Sequence, residues 1–289
     1  MRIDAHHHLW TLARGDYGWL TPALAPIYRD FSLSDLAPHL AQSRIEGTIL
    51  VQAAPTEAET MFMLGITEAT EVVRGVVGWI DFDAADAAAR VEALAAERLL
   101  VGLRPMVQDM ADDDWLLRPG LAPLLTSMTR HGLVFDALVL PRHLPRLLEV
   151  IDRHGDLQFV LDHCAKPHLT SGDIAQWKQH MAEIARRPNI VCKLSGLVTE
   201  ARADWHIADL RPAVDHVREC FGPQRLLWGS DWPVVNLAGG YDRWFAATET
   251  LVAELSPAEK ADVFGCNAGR IYLAKRGRSV SWALTESES

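Results

Sequence analysis

Eight short β-rich runs, separated by stretches of helical character, limit the fold of this chain more than anything else in its sequence. They are Arg2–Ala5, Gly47–Gln52, Gly75–Asp81, Leu99–Arg104, Gly132–Ala137, Leu157–His163, Ile190–Leu194 and Arg225–Gly229. Several are nearly continuous apolar runs, such as Leu157-Gln158-Phe159-Val160-Leu161 and Ile190-Val191-Cys192. Strands covered on both faces read this way, as in a parallel sheet. The intervening stretches repeat with the helical period: Asp83–Glu97, with Val91 and Leu94 on one face and Asp83 at its start; Leu144–His154; and Pro212–Cys220, with Pro212 in the first turn. Alternation without a composition break predicts an α/β fold, a single-domain (β/α)8 barrel over 1–276, followed by a polar C-terminal tail over 277–289. A doubly wound open sheet is the alternative, but no Gly-x-Gly-x-x-Gly follows an early strand.

Composition narrows the function classes. The chain has 289 residues, 49% hydrophobic and 23% charged, which is globular rather than disordered. Its formal charge is −10 with no run of Lys or Arg, which argues against nucleic acid and anionic membranes as partners. Cys164, Cys192, Cys220 and Cys266 are widely spaced and read as reduced thiols. No signal-peptide pattern and no apolar run of about 20 residues is visible, so a cytoplasmic location is expected.

Chemistry concentrates where strands end. After the first run, histidines alternate, and residues two apart in a strand face the same side. His6 and His8 therefore present two imidazoles to one point, suited to a metal ion or a polarised carbonyl. In a barrel of this type the reactive groups stand at the C-terminal ends of the strands. Those ends carry His6 and His8, Gln52, Asp81, Arg104, Asp136, His163 with Lys166, Ser195 and Asp231. Asp231 follows Trp228-Gly229-Ser230 and is either a helix cap or a general base facing the histidines. Arg104 is either a substrate contact or the partner of Asp81 or Asp136, and Lys166 either a substrate contact or a surface residue. Trp10, Trp79 and Trp232 flank strand ends, where they either stack on an apolar face of a ligand or pack in the core. The segment Thr11–Phe31 is a long aromatic-bearing insertion with the length of a lid.

Three segments, Asp4-Ala-His-His-His-Leu-Trp10, Leu161-Asp-His-Cys-Ala-Lys-Pro167 and Trp228-Gly-Ser-Asp-Trp-Pro233, resemble in kind and order the amidohydrolase superfamily. The resemblance spans nearly the whole chain and is closest to its sugar-lactone hydrolases, the L-fuconolactonase and L-rhamnonolactonase group. It implies a (β/α)8 barrel with His6, His8, His163 and Asp231 around the site. Hydrolysis of a small sugar lactone is also implied, downstream of a sugar dehydrogenase in carbohydrate breakdown such as that of L-fucose. Binuclear members bridge two metals with a carbamylated lysine at the end of strand four. Here that strand ends Gly102-Leu-Arg-Pro105, so one Zn²⁺ at most is expected, held by His6, His8, Asp231 and His163, and dispensable in some members of the branch. Asp231 and His163 would be catalytic, with Lys166, Arg104, Gln52 and the three tryptophans at the substrate. The rival readings are a one-metal decarboxylase, a pyrone-dicarboxylate lactonase, and a barrel that only binds sugar or metal. The oligomeric state is open.

Overall fold

The structure, a computed structural model, describes residues 1–274; the expected tail over 277–289 lies outside them. Eight parallel strands pair in chain order: β1 (Ile3–His7), β2 (Gly47–Val51), β3 (Val73–Gly78), β4 (Leu100–Leu103), β5 (Val134–Ala137), β6 (Phe159–Leu161), β7 (Ile190–Leu194) and β8 (Leu226–Trp228). A helix follows each: α1 (Leu33–Ser43), α2 (Glu57–Thr67), α3 (Ala87–Leu94), α4 (Leu121–Arg130), α5 (Leu144–Arg153), α6 (Ala175–Ala185), α7 (Ile207–Phe221) and α8 (Tyr241–Leu251). The seam between β8 and β1 closes just beyond their ends. There Asp231 N–H donates to the His6 carbonyl at 2.8 Å and His8 N–H to the Trp232 carbonyl at 2.7 Å. The strands form a nearly closed barrel with helices outside, as the alternation predicts.

Some boundaries differ from the sequence reading, each for a local reason. β3 stops at Gly78, which leaves Asp81 exposed in the next turn, accepting the Asp83 N–H at 3.0 Å. Asp81 is therefore not a strand-end group. Asp83 does not start α3; it binds the Arg118 guanidinium at 2.9 Å and the Trp115 indole at 3.2 Å. α7 begins five residues ahead of Pro212, at Ile207, because Asp209 accepts the His206 N–H at 2.7 Å and caps the helix there.

One irregularity in β1 decides where the histidines point. Asp4 pairs with Thr48 and His7 with Leu50, so Ala5 and His6 together stand opposite Ile49. The extra residue is a bulge, which re-aims the side chains after it. Ile3 and Ala5 join the barrel interior with Ile49, Val77, Val134 and Val191. Asp4 instead sits outside the barrel wall, accepting the N–H groups of His6 at 3.1 Å and Ser230 at 2.9 Å and facing Tyr241 of α8. His7 also points outward, to the Thr48 hydroxyl at 2.9 Å, which leaves His6 and His8 aimed at the axis.

Beneath the barrel, at the N-terminal ends of the strands, the segment Asp262–Leu273 closes the floor. Ala268, Ile271, Tyr272 and Leu273 complete the interior apolar cluster, and the Asn267 amide donates to the Leu226 carbonyl at 2.8 Å. Tyr272 reaches up the axis, and its hydroxyl donates to Asp136 at 2.8 Å. Losing a donor to a buried carboxylate costs about 1–3 kcal/mol. Tyr272→Phe should therefore lower the melting temperature by several degrees, at about 2–4 °C per kcal/mol in a protein of this size. An unchanged thermal melt would mean the contact contributes nothing.

Candidate active site

Above the apolar interior lies a layer of buried charge. The Lys193 ammonium, in the middle of β7, stands 2.5 Å from Asp136 Oδ2, 2.9 Å from Asp162 Oδ1 and 3.2 Å from His6 Nδ1. Arg104 Nη1 lies 3.2 Å from Asp162 Oδ2, and its other terminal nitrogen contacts the Gln52 carbonyl and, at 3.3 Å, the Gln52 side-chain oxygen. All six side chains are buried, and all but Arg104 fully so. Two cations and two carboxylates make the layer neutral. Burial raises the Asp136 carboxyl, to about 6 against the pull of Lys193. Burial also acts to raise Asp162, but Lys193, His6 and Arg104 together hold it well below the ordinary carboxylate value.

Three histidines and a carboxylate, the candidate reactive groups, rest on this layer. His6 Nε2 is 3.2 Å from His8 Nε2 and 3.7 Å from Asp231 Oδ1; His8 Nε2 is 3.3 Å and His163 Nε2 4.0 Å from that same oxygen. The outer nitrogens are tethered too: His8 Nδ1 donates to the Val51 carbonyl at 2.8 Å, and His163 Nδ1 lies 2.8 Å from the Ser195 hydroxyl. Burial lowers His163 to about 4, so its imidazole is neutral near pH 7. Burial acts to raise Asp231, but His163 and the His8 hydrogen bond bring it below the ordinary value, so it is a carboxylate.

Two backbone turns in an unusual conformation aim these groups. His163, Cys164, Ala165 and Lys166 all adopt left-handed geometry, with φ of 52°, 52°, 56° and 51°. Each such residue costs about 1–2 kcal/mol without a glycine, and the turn persists because its surroundings hold it. The Trp177 indole donates to the Cys164 carbonyl at 2.8 Å, and the Cys164 thiol donates to the Lys193 carbonyl at 3.3 Å. The turn points His163 to the axis and carries Lys166 to the rim, 3.5 Å from Glu200 Oε1. Asp231 is likewise left-handed, at φ 58°, immediately after β8.

A cavity of about 290 Å³ opens beside these groups, lined in part by His8, Arg104, His163, Lys166 and Asp231. Its walls include residues that strand-end reading missed: Trp19 and Leu24 from the insertion, Gln108 and Asp109 after β4, and Glu200 after β7. The insertion is pinned at its base by paired backbone hydrogen bonds between Trp10 and Phe31, at 3.2 and 2.9 Å, and forms one wall. Other assignments need correction. Gln52 does not line the cavity; its amide donates to the Arg104 carbonyl at 3.0 Å and its oxygen holds the guanidinium. Trp10, Trp79 and Trp232 are also absent from the lining. Trp10 packs edge-on to Trp19 with centroids 5.6 Å apart, Trp232 edge-on to Phe31 at 5.1 Å, and Trp79 edge-on to Phe82 at 6.4 Å. The partner of Arg104 is Asp162, neither Asp81 nor Asp136.

The donor spacing suits one tetrahedral ion. Corners of a tetrahedron with bonds of about 2.0–2.1 Å lie about 3.3 Å apart, close to the 3.2, 3.3 and 3.7 Å separations of His6, His8 and Asp231. The ring nitrogen of His8 turned away from the site also donates to a carbonyl, the usual second contact of a ligating histidine.

Gly196 sets the position of His163. It has φ +63°, and an added Cβ would stand 2.5 Å from His163 Nδ1. Gly196→Ala should cost about 1–2 kcal/mol from the left-handed backbone alone and break the bond from His163 to Ser195. Chemical denaturation and the ring resonances of His163 would report both; resonances that stay in place would refute the contact.

Relatives align with this architecture along its whole length. An L-fucono-1,5-lactonase of Burkholderia ambifaria is 45% identical, with 95% of this chain and 96% of the relative covered. An L-fucono-1,5-lactonase of Burkholderia multivorans is 36% identical, covering 94% and 96%. A crystal structure of an amidohydrolase from Burkholderia multivorans with bound Zn superposes with a TM-score of 0.88 at 35% identity, covering 94% of this chain and 99% of the other. The sequence pattern of one family, described as Amidohydrolase, matches residues 3–273, from the first strand to the floor of the barrel, and the chain belongs to that family.

Proposed function

We propose that the chain is a cytoplasmic lactonase that opens the ring of a neutral sugar lactone of the L-fucono-1,5-lactone kind. The observation that carries this reading is the convergence of ring nitrogens of three histidines, His6, His8 and His163, on one oxygen of the buried carboxylate Asp231, beside a cavity of about 290 Å³ that His8, His163 and Asp231 line. The lactonase activity of relatives 45% and 36% identical supports it. The lining supports a neutral substrate: Arg104 and Lys166 are countered by Asp109, Glu200 and Asp231, which disfavours the dianion a pyrone-dicarboxylate hydrolase must bind. We take the catalytic unit to be residues 1–276, with no nucleic acid or membrane partner. Among the described residues no helix is long and apolar enough to cross a membrane.

In the proposed reaction the lactone carbonyl lies against the histidine cluster, with His163 as a neutral hydrogen-bonding group. Asp231 takes a proton from water, the hydroxide adds to the carbonyl carbon, and a tetrahedral oxyanion forms. Its collapse breaks the ring C–O bond, and the proton on Asp231 passes to the departing ring oxygen. The product is the open-chain hydroxy acid. Lys166 and Arg104 hold substrate hydroxyls. One Zn²⁺ at His6, His8, Asp231 and His163 would polarise the carbonyl and acidify water.

A pH-indicator assay on a panel of aldonolactones, with and without chelator and added Zn²⁺, tests the reading directly. Acid release from L-fucono-1,5-lactone is expected; silence across the panel would overturn it. Asp231→Asn should lower turnover by about 10²–10⁴-fold, the span of general-base catalysis, in a protein with unchanged circular dichroism. Near wild-type turnover would remove Asp231 as the base. Lys166→Ala should mainly raise KM, and unchanged kinetics would remove it from the substrate.

A further inference from the structure

The cavity holds a cation suited to a substrate carboxylate, Lys166, and a carboxylate of the chain already stands beside it. We propose that Glu200 is a specificity-determining residue. Paired with Lys166 at the rim, it admits lactones that carry a hydroxyl at the end opposite the reacting carbonyl and turns away those that carry a carboxylate there. The proposal rests on the lactonase reading and adds to it the residue that chooses among lactones.

Charge is the first ground. Among the described residues, the Arg and Lys side chains lining the cavity are Arg104 and Lys166, set against the carboxylates of Asp109, Glu200 and Asp231. Arg104 is 3% exposed, and its charge is met in the buried layer by Asp162 Oδ2 at 3.2 Å. Lys166 Nζ lies 3.5 Å from Glu200 Oε1, with the two side chains 21% and 23% exposed. An incoming carboxylate therefore meets cations that already have acidic partners.

Backbone holds both members of the rim pair. Lys166 is left-handed, and its N–H donates to the His163 carbonyl at 2.8 Å. Glu200 ends a turn in which its N–H donates to the Leu197 carbonyl at 3.2 Å and the Thr199 hydroxyl donates to the Gly196 carbonyl at 2.8 Å. Leu197 and Val198 of that turn are buried. Gly196 is the residue packed against His163, so the turn that presents Glu200 starts from a fixed point.

Donors and acceptors then separate two kinds of substrate. A hydroxyl both donates and accepts, so it can take an N–H from Lys166 and give its own proton to Glu200. An ionised carboxylate only accepts: it matches Lys166 but sets like charge against Glu200. Placing a repulsive group against the wrong ligand is a general route to specificity. An exposed ion pair adds little to stability, so the value of this one lies in selection.

The test compares two lactones that differ only at that end. One is L-galactono-1,4-lactone, with a hydroxymethyl group; the other is the galactaro-1,4-lactone of matching configuration, with a carboxylate. Wild-type protein should prefer the first. Glu200→Gln, checked for folding by circular dichroism, keeps the shape and removes the charge. Its kcat/KM should rise for the acid lactone and fall for the neutral one, moving their ratio about 10–100-fold toward the acid. An unchanged ratio, or an equal loss on both, overturns the proposal. A binding measurement needs no turnover: calorimetric titration should show the variant gaining affinity for galactarate but not for L-galactonate, and the absence of that gain also overturns it. If wild-type protein opened no lactone while the gain appeared, the lactonase reading would fall and selection by Glu200 would stand. Should the variant not fold, salt decides on wild-type protein, since raising ionic strength from about 0.1 M to about 1 M shortens screening to about 3 Å and should narrow the preference. A preference indifferent to salt would be one of shape, against the proposal.

Discussion

The bracket of Lys193 between Asp136 and Asp162 is the interaction on which the upper half of the barrel depends. Ions this deep gain stability only when their partners are complete, and removing one partner typically costs about 3–5 kcal/mol. Here the accounts balance: Lys193 and Arg104 against Asp136 and Asp162, with Tyr272 and Gln52 supplying further hydrogen bonds. The charges of the layer act on the histidines above it in opposite directions: burial is the larger effect on both His6 and His163, while Lys193 lowers and Asp162 raises His6, and Asp162 raises and Arg104 lowers His163.

On that base, precision comes from backbone geometry. The bulge in β1 turns His6 inward after Ala5, and Asp4, outside the wall, ties the bulge to Ser230 of the last strand's extension. The left-handed turns at His163–Lys166, after β6, and at Asp231, after β8, then bring two further groups to the same point. Groups from the ends of three strands converge within about 4 Å because strained turns, rather than long side chains, cover the distance. Long side chains lose more freedom when ordered, so short histidines and aspartates on strained turns hold a geometry with less motion.

Much of this was legible in the residues. Strand-end reading names four side chains that the fold brings together, His6, His8, His163 and Asp231, and alternation predicts the barrel, because both are properties of contiguous sequence. Lys193 was missed because it sits inside an apolar run, Ile190-Val-Cys-Lys-Leu194, and its partners lie on β5 and β6. Only the closed barrel brings them together. The tryptophans failed for a related reason. Trp10, Trp79 and Trp232 flank strand ends but pack against neighbours, whereas Trp19, deep in an insertion without strand register, reaches the cavity. Large aromatic rings are as valuable in a core as at a ligand, and which role one takes is set by tertiary packing. Asp81 was misplaced because the end of β3 was set three residues too late.

Tyr272 couples the floor of the barrel to the charge layer, so a segment that follows every strand in the chain supplies a hydroxyl donor to a carboxylate on the fifth strand. The apolar seal beneath the barrel and the hydrogen bonding of its buried charge are thereby tied to one another, and a change that loosened Asp262–Leu273 would be felt at Asp136.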